Sequence, residues 1–349
     1  MENSYILPMY NPIFKTWGDC HLMSIISDLP HAKEWIAETF IQIFGFTFLL
    51  KGQKKPPNYH FLNLHNPYSF LYPGNAWDIC PFIQKLIFSR KMVSQIYGDV
   101  ESFIENMISN GYYIALYLNR IFEPNQYDPG HFGMIYGYDK SRRLIFLADH
   151  YTLGKYDYYT VDIEKIQKAY NDIDDILLSN QVDAERKDEF KYIYLIKPQD
   201  NDYTIRRKVV LNSLSKYLEA KEDIGFLKYQ SRFFQRYENY VFGIETYQSL
   251  IQYFIDIYNE QIGIDWRTIC FFQDHKKAIA LLLQCLNSKE NIRSEWHMVE
   301  TEFEIILFSF LKYCNNNDKK TLLKIISKLC TLYDKERYVL NSLINTIEQ

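Results

Sequence analysis

Several features are missing from this sequence, and each absence removes a class of function. No uninterrupted apolar run reaches the ~18 residues that a membrane-spanning helix needs, so no membrane partner is expected. The opening MENSYILPMYNPIFKTWGDC has no basic start, apolar core or small-residue cleavage site. It does not read as a signal peptide, and a cytoplasmic location is expected. The six cysteines (20, 80, 270, 285, 314 and 330) include no CxxC pair. That argues against a disulfide framework or zinc knuckle and for reduced thiols. No Gly-rich phosphate loop and no metal-ligand spacing occurs, so neither cofactor nor metal is expected. Charge of one sign is lacking too: 39 Lys and Arg stand against 43 Asp and Glu, a formal net charge of −4. Nucleic acid is therefore not an expected partner, because phosphate binding needs a clustered positive surface.

What is present is globular in character, with 47% hydrophobic and 23% charged residues. The 30 Tyr and 24 Phe, against only 13 Gly, together with abundant Ile and Lys, suggest an AT-rich bacterial genome. Residues 1–200 read as mixed α and β. Helices are expected over 20–27, 31–44 (stopped by Gly45), 77–91, 99–110 and 162–173. Strands are expected over 46–50, 59–64, 112–118, 132–138, 144–148, 156–161 and 190–196. After about residue 203 the strand signal gives way to helical spacing, as in Leu211, Leu214 and Leu218. Four to six helices are expected there, with 279–286 and 305–311 buried. The segment QDNDY (199–203) marks the boundary between a domain at 1–200 and a helical one at 203–349.

Cys20 stands apart from the other cysteines. It directly precedes an apolar helical run in Trp17-Gly18-Asp19-Cys20-His21-Leu22-Met23-Ser24. A thiol at a helix N-terminus gains from the helix dipole and from backbone N–H groups, which stabilise the thiolate and can hold an oxyanion. Gly18 permits a sharp turn just before it.

A β-hairpin follows downstream, with Pro129-Gly130-His131 through Asp139 as one strand and Leu144 through Asp149-His150 as the other. Its fold-back brings His131 and Asp149 together, the arrangement wanted of a base and its orienting carboxylate. Register decides the detail. A two-residue turn pairing Asp139 with Arg142 makes His131 face His150 and turns Asp149 away, whereas a bulge or odd-numbered turn puts His131 and Asp149 on one face. His150 is thus a rival to Asp149 as the partner of His131.

Cys near the N-terminus, then His, then an acid, is the chain order of papain-like enzymes. The Asp19-Cys20 helix start with the His131…Gly137-Tyr138-Asp139…Asp149 hairpin resembles the bacteriocin-leader peptidases. It resembles still more the butirosin-biosynthesis protein H N-terminal family, and 265–286 is similar to a helix of that family's C-terminal region. The resemblance implies an α+β fold: a papain-like half, with a Cys-bearing helix on an antiparallel sheet bearing the His, followed by an all-α region. It also implies an acyltransferase that takes an aminoacyl group from an acyl- or peptidyl-carrier protein and passes it to an amine in natural-product assembly. Papain-like proteases place an oxyanion-donating Gln a few residues before the nucleophile; here those positions hold Phe14 and Lys15, with Asn11 the nearest upstream amide. That departure favours an activated thioester over a peptide as substrate.

Cys20 as nucleophile, His131 as base and Asp149 as orienting acid form the expected site. A small molecule or peptide is the expected acceptor. A peptidase or thioesterase with the same triad, and a non-catalytic scaffold, are the alternatives. His21 is expected to face solvent, and His60 and His65 to pack. Asp172, Asp174 and Asp175 are read as a solvated helix end, Arg206-Arg207-Lys208 as a charged surface, and His275 is left without a role.

Overall fold

The computed structural model of the chain describes residues 4–15, 19–48, 58–63, 75–119, 131–152, 155–178, 190–221 and 238–348. In chain order the first elements are β1 (Ser4–Ile6), α1 (Asp19–Ile26), α2 (Ala32–Thr39), β2 (Ile43–Phe48), β3 (Asn58–Asn63) and α3 (Asn75–Ile79). Next come β4 (Ile83–Ser89), α4 (Arg90–Tyr97), α5 (Val100–Ser109), β5 (Tyr113–Leu118), β6 (His131–Asp139), β7 (Leu144–Thr152) and β8 (Lys155–Asp162). They are followed by α6 (Ile163–Leu178), β9 (Tyr192–Pro198), α7 (Arg207–Leu218), β10 (Glu238–Phe242), α8 (Thr246–Tyr258), α9 (Arg267–Cys285), α10 (Glu290–Asn316) and α11 (Lys319–Ile347). The fold is α+β, and after β10 every described element is helical. No helix among the described residues is long and apolar enough to cross a membrane.

The chain divides into two compact units, one of Met1–Leu29 with Tyr72–Asn201, the other of Pro30–Leu71 with Asp202–Gln349. The second crossing falls inside the expected boundary segment. The first was not expected: α2, β2 and β3 lie in the amino-terminal half of the sequence yet fold with the helical unit.

In the first unit an antiparallel sheet runs β4-β9-β5-β6-β7-β8, and β1 pairs with the far end of β6. Helices α5 and α6 cover one face, burying Phe103, Ile104 and Ile166 with Leu116, Ile135, Leu147 and Leu195. The ends of α5 follow from local chemistry. Asp99 caps it by accepting from the Ser102 N–H at 2.7 Å, and Gly111 takes φ +82° to close the C-terminal turn. Gly137 is needed where β1 crosses β6, since a Cβ there would lie 2.8 Å from the Tyr5 carbonyl oxygen. Arg90, buried at the start of α4, puts its guanidinium over the Tyr170 ring at 3.4 Å and bonds Asp174 at 2.7 Å. The acidic run on α6 is therefore partly structural; Asp172 likewise accepts from Asn119.

Three expected elements differ. The helix expected over 31–44 stops at Thr39, and 43–48 forms β2, where alternating Phe44, Phe46 and Phe48 suit a pleated strand. Gly45 lies inside that strand, opposite Phe61 and Val241, instead of ending a helix. The helix expected over 77–91 breaks into α3, β4 and α4. Pro81 follows the short helix, and 83–89 pairs along its whole length with β9; an apolar run this short does not reveal its period. Strand β10 interrupts the region read as wholly helical. On α10 only one face is buried: Ile306 and Phe310 are covered, whereas Ile305 and Phe308 are exposed.

The second unit packs α2 and α7–α11 with the three-stranded sheet β10-β2-β3 around Phe254, Phe272, Trp296 and Phe303. At its centre lies a fully buried polar network. Lys276 Nζ meets Glu336 Oε2 at 2.5 Å, and the Tyr217 and Tyr247 hydroxyls donate to the same carboxylate at 2.6 and 2.7 Å. His275 donates from Nε2 to the Ile41 carbonyl at 2.9 Å and accepts at Nδ1 from Lys276 at 3.3 Å. Both ring nitrogens are satisfied in the neutral form, so His275 has a structural role. Burial, reinforced by the Lys276 ammonium beside it, lowers the His275 pKa to about 3. Burial raises the carboxylate of Glu336, but the Lys276 ammonium and the hydrogen bonds from Lys276 and Tyr217 outweigh it and hold that group below its ordinary range.

The sign of the resulting pH dependence follows. Below its ordinary pKa of about 6.5, His275 binds a proton in the unfolded chain but not in the folded one, so acid favours unfolding. Urea unfolding of this unit, followed by Trp fluorescence, should show constant stability above about pH 6.5 and a decline toward about pH 3. His275→Gln, which keeps a donor for Ile41, should shallow that decline.

Candidate active site

Helix α1 begins at Asp19 and carries Cys20 in its first turn. The buried residues Leu22, Met23, Ile25 and Ile26 fix it against the first unit, with Ser24 one turn beyond Cys20 on the same side. Gly18 lies outside the described residues.

The hairpin that faces Cys20 has an irregular register. Next to the turn the partners are Asp139↔Leu144, Tyr138↔Ile145 and Gly137↔Phe146. Beyond it they are Ile135↔Leu147 and Met134↔Ala148, so Tyr136 is the extra residue of a β-bulge. Carried on toward the open end, this offset places His150 opposite Phe132. Both rings touch His21 of α1, with centroids 5.8 Å (Phe132) and 6.1 Å (His150) away.

His150 Nε2 lies 3.6 Å from Cys20 Sγ, so the structure brings these two residues together. His131, expected as the base, opens β6 opposite Leu118. Among the described side chains, the imidazole at the sulfur is that of His150. A bulge is one of the two cases expected to put His131 and Asp149 on one face; the side chain of His131 lies outside the described residues.

Asp149 is buried, and its Oδ1 accepts from the backbone N–H of His150 at 2.6 Å. Its distance to His150 Nδ1 is 3.8 Å, beyond hydrogen-bond range. On the other side of the ring, Nε2 lies 3.2 Å from the Lys15 carbonyl oxygen. A carbonyl at Nε2 calls for an N–H on that nitrogen. The contact of Nε2 with Sγ makes Cys20 and His150 the candidate nucleophile–base pair.

Tyr156 and Ser24 support this pair. The Tyr156 ring packs 5.1 Å from His150 and 5.3 Å from His21. The Ser24 hydroxyl lies 2.7 Å from both the Cys20 carbonyl and the Tyr156 hydroxyl. With one proton, Ser24 donates to the carbonyl and accepts from Tyr156. Burial pushes the Tyr156 phenol well above its ordinary range, so it stays a donor.

His21 is buried instead of solvent-facing, with Nε2 3.2 Å from the Ala148 carbonyl. The turn of α1 that aims Cys20 at β7 also presses His21 onto that strand. The helix spacing of Ser24 from Cys20 was a visible signal for its part, whereas nothing in the sequence marked Tyr156 among 30 tyrosines. Asn11, the candidate upstream amide, is exposed. The side chains of His60 and His65 lie outside the described residues.

Set against known proteins, the chain matches no family model and no curated protein. Its chemistry has to be read from Cys20 and its neighbours.

A free thiol alkylates faster as pH rises toward its pKa of about 8.5, while a thiolate held by an imidazolium reacts at a flat rate well below that. Iodoacetamide labelling of Cys20, mapped by mass spectrometry, should give a flat profile between about pH 6 and about pH 8. His150→Ala should restore the ordinary rise, and His131→Ala should leave the profile flat.

Proposed function

We propose that the chain is a papain-like cysteine acyltransferase in which Cys20 is the nucleophile, His150 the proton carrier and Asp149 the group that anchors and polarises His150. The contact of Cys20 Sγ with His150 Nε2 carries this reading. The resemblance to the butirosin-biosynthesis protein H N-terminal family supports a thioester on an acyl- or peptidyl-carrier protein as donor and an amine as acceptor.

In the first step the Cys20 thiolate adds to the thioester carbonyl, and the carbon–sulfur bond to the carrier breaks. The departing carrier thiolate takes the proton from His150, leaving an acyl-Cys20 and a neutral imidazole. In the second step an amine adds to the acyl group and gives a proton to His150 Nε2. The Cys20–acyl bond then breaks, which regenerates the thiolate–imidazolium pair and releases an amide. A thioester suits a site without an upstream Gln, because its leaving group is a stabilised thiolate and needs less oxyanion support than a peptide does.

A second reading, a binding subunit that keeps the fold without turnover, also has an observation in its favour: Cys20 is 0% exposed. A resting nucleophile with no accessible surface must be uncovered before it can react.

Incubation with an aminoacyl N-acetylcysteamine thioester should add one acyl mass to the protein, located on Cys20. Cys20→Ser should abolish the adduct as a thioester, and His150→Ala should slow its formation by roughly 10²–10⁴-fold. Release of the acyl group to an added amine favours transfer, and release to water favours a thioesterase. Absence of any adduct, with Cys20→Ala retaining function in cells, would establish the binding subunit.

A further inference from the structure

Cys20 is completely buried, and the segment that follows β1 runs across its helix and up to its histidine neighbour. After pairing with β6, the chain donates from Leu7 N–H to the carbonyl of Tyr136, the bulge residue, at 2.8 Å. The Tyr113 hydroxyl then donates to the Pro8 carbonyl. The Tyr10 N–H donates to the Ser24 carbonyl of α1 at 2.8 Å, and the Tyr158 hydroxyl donates to the Tyr10 carbonyl at 3.0 Å. Pro12 and Phe14 are buried, and Lys15 brings its carbonyl to His150 Nε2. The segment therefore runs from the hairpin bulge, across the nucleophile helix, to the working nitrogen of the candidate base. It holds no regular secondary structure on the way.

We infer that residues 7–15 form an autoinhibitory strap that closes the Cys20–His150 site at rest and must lift for substrate to enter. Two observations meet in this assignment. One is the absence of exposed surface at Cys20. The other is the Lys15 carbonyl, which occupies the hydrogen-bonding position on Nε2 that an acceptor amine needs in order to hand over its proton. An acceptor and the Lys15 carbonyl cannot both hold that nitrogen. The backbone and hydroxyl bonds that hold residues 7–10 come from separate strands and α1 and form no continuous ladder, so the segment can part without unfolding the sheet beneath it. The consequence for catalysis rests on the reading of Cys20 as a nucleophile, whereas the shielding is a property of the thiol itself.

The test measures shielding directly. Cys80, also buried but set beside α3, serves as the internal control in the same alkylation experiment. Tyr158→Phe removes the hydroxyl that holds Tyr10, and Tyr113→Phe removes the one that holds Pro8. Alkylation of Cys20 by iodoacetamide at fixed pH should rise about threefold in Tyr158→Phe and about tenfold in the double variant, with Cys80 unchanged. Amide hydrogen exchange at Leu7 and Tyr10 should accelerate by the same factors. An unchanged Cys20 rate, or faster exchange in the strap without faster alkylation, would overturn the strap. So would Cys20 and Cys80 rising together. The pH profile of Cys20 alkylation reads the His150 pair separately, so failure of the strap and failure of the catalytic reading give different results.

Discussion

One extra residue in one strand governs the arrangement of the first unit. Tyr136 adds a position to β6 that β7 does not match, and the pairing on either side differs by one. The helix-covered face needs this offset, because Tyr138 and Ile135 are three positions apart and yet join the same core as Ile145 and Leu147. An unbroken ladder would turn one of the two away from that core. The carbonyl of the bulge residue is also where the segment after β1 fastens. Core packing and the fastening of that segment thus both depend on a single register shift, and a change that removed it would disturb them together.

Two histidines, one buried and one half-buried, show how surroundings assign a role. His275 has a carbonyl at one nitrogen and an ammonium donor at the other, a pattern met by the neutral ring alone. His150 has a carbonyl and a thiol within reach of one nitrogen and a carboxylate near the other. The first has both valences closed and sits with Lys276 and Glu336 in a core from which water is excluded. Each charge there is held by several partners, as a buried charge must be. The second is partly open and shares its Nε2 between a thiol and a carbonyl that other atoms can displace. Chemistry belongs with the histidine whose partners can change.

How much of this was legible in the sequence depends on what each residue type reveals alone. Cys20 at a helix start was visible, because a lone cysteine before an apolar run carries its own signal. The hairpin was visible for the same reason, with its two apolar strands and polar turn. Its register was not, since a β-bulge depends on which strand face must be buried and not on a local motif. Asp149 and His150 were therefore both in view as partners of His131, and the choice between them rested on a parity the residues do not print. The run 83–89 misled in a similar way: seven residues with apolar positions at mixed spacing pair with β9 only because that neighbour exists. His21 was read as exposed from helix geometry alone, and strand β7 was the missing partner.

The path of the chain links the two units more closely than a boundary near residue 200 implied. Helix α1 ends at Ile26, and three residues after it the chain leaves for the second unit, returning only at Tyr72. In that interval it lays down α2, which packs on α9, and β2, which is the middle strand between β3 and β10. Neither has partners in the first unit's sheet. A chain cut at the boundary segment would keep Cys20, His150 and Asp149 but leave α2 without α9 and β2 without β10, with apolar faces and strand edges uncovered. The helical unit is therefore no appendage that the first unit could shed by a cut at that segment. It takes in the segment directly after α1, and that shared connection makes the two units fold as parts of one protein.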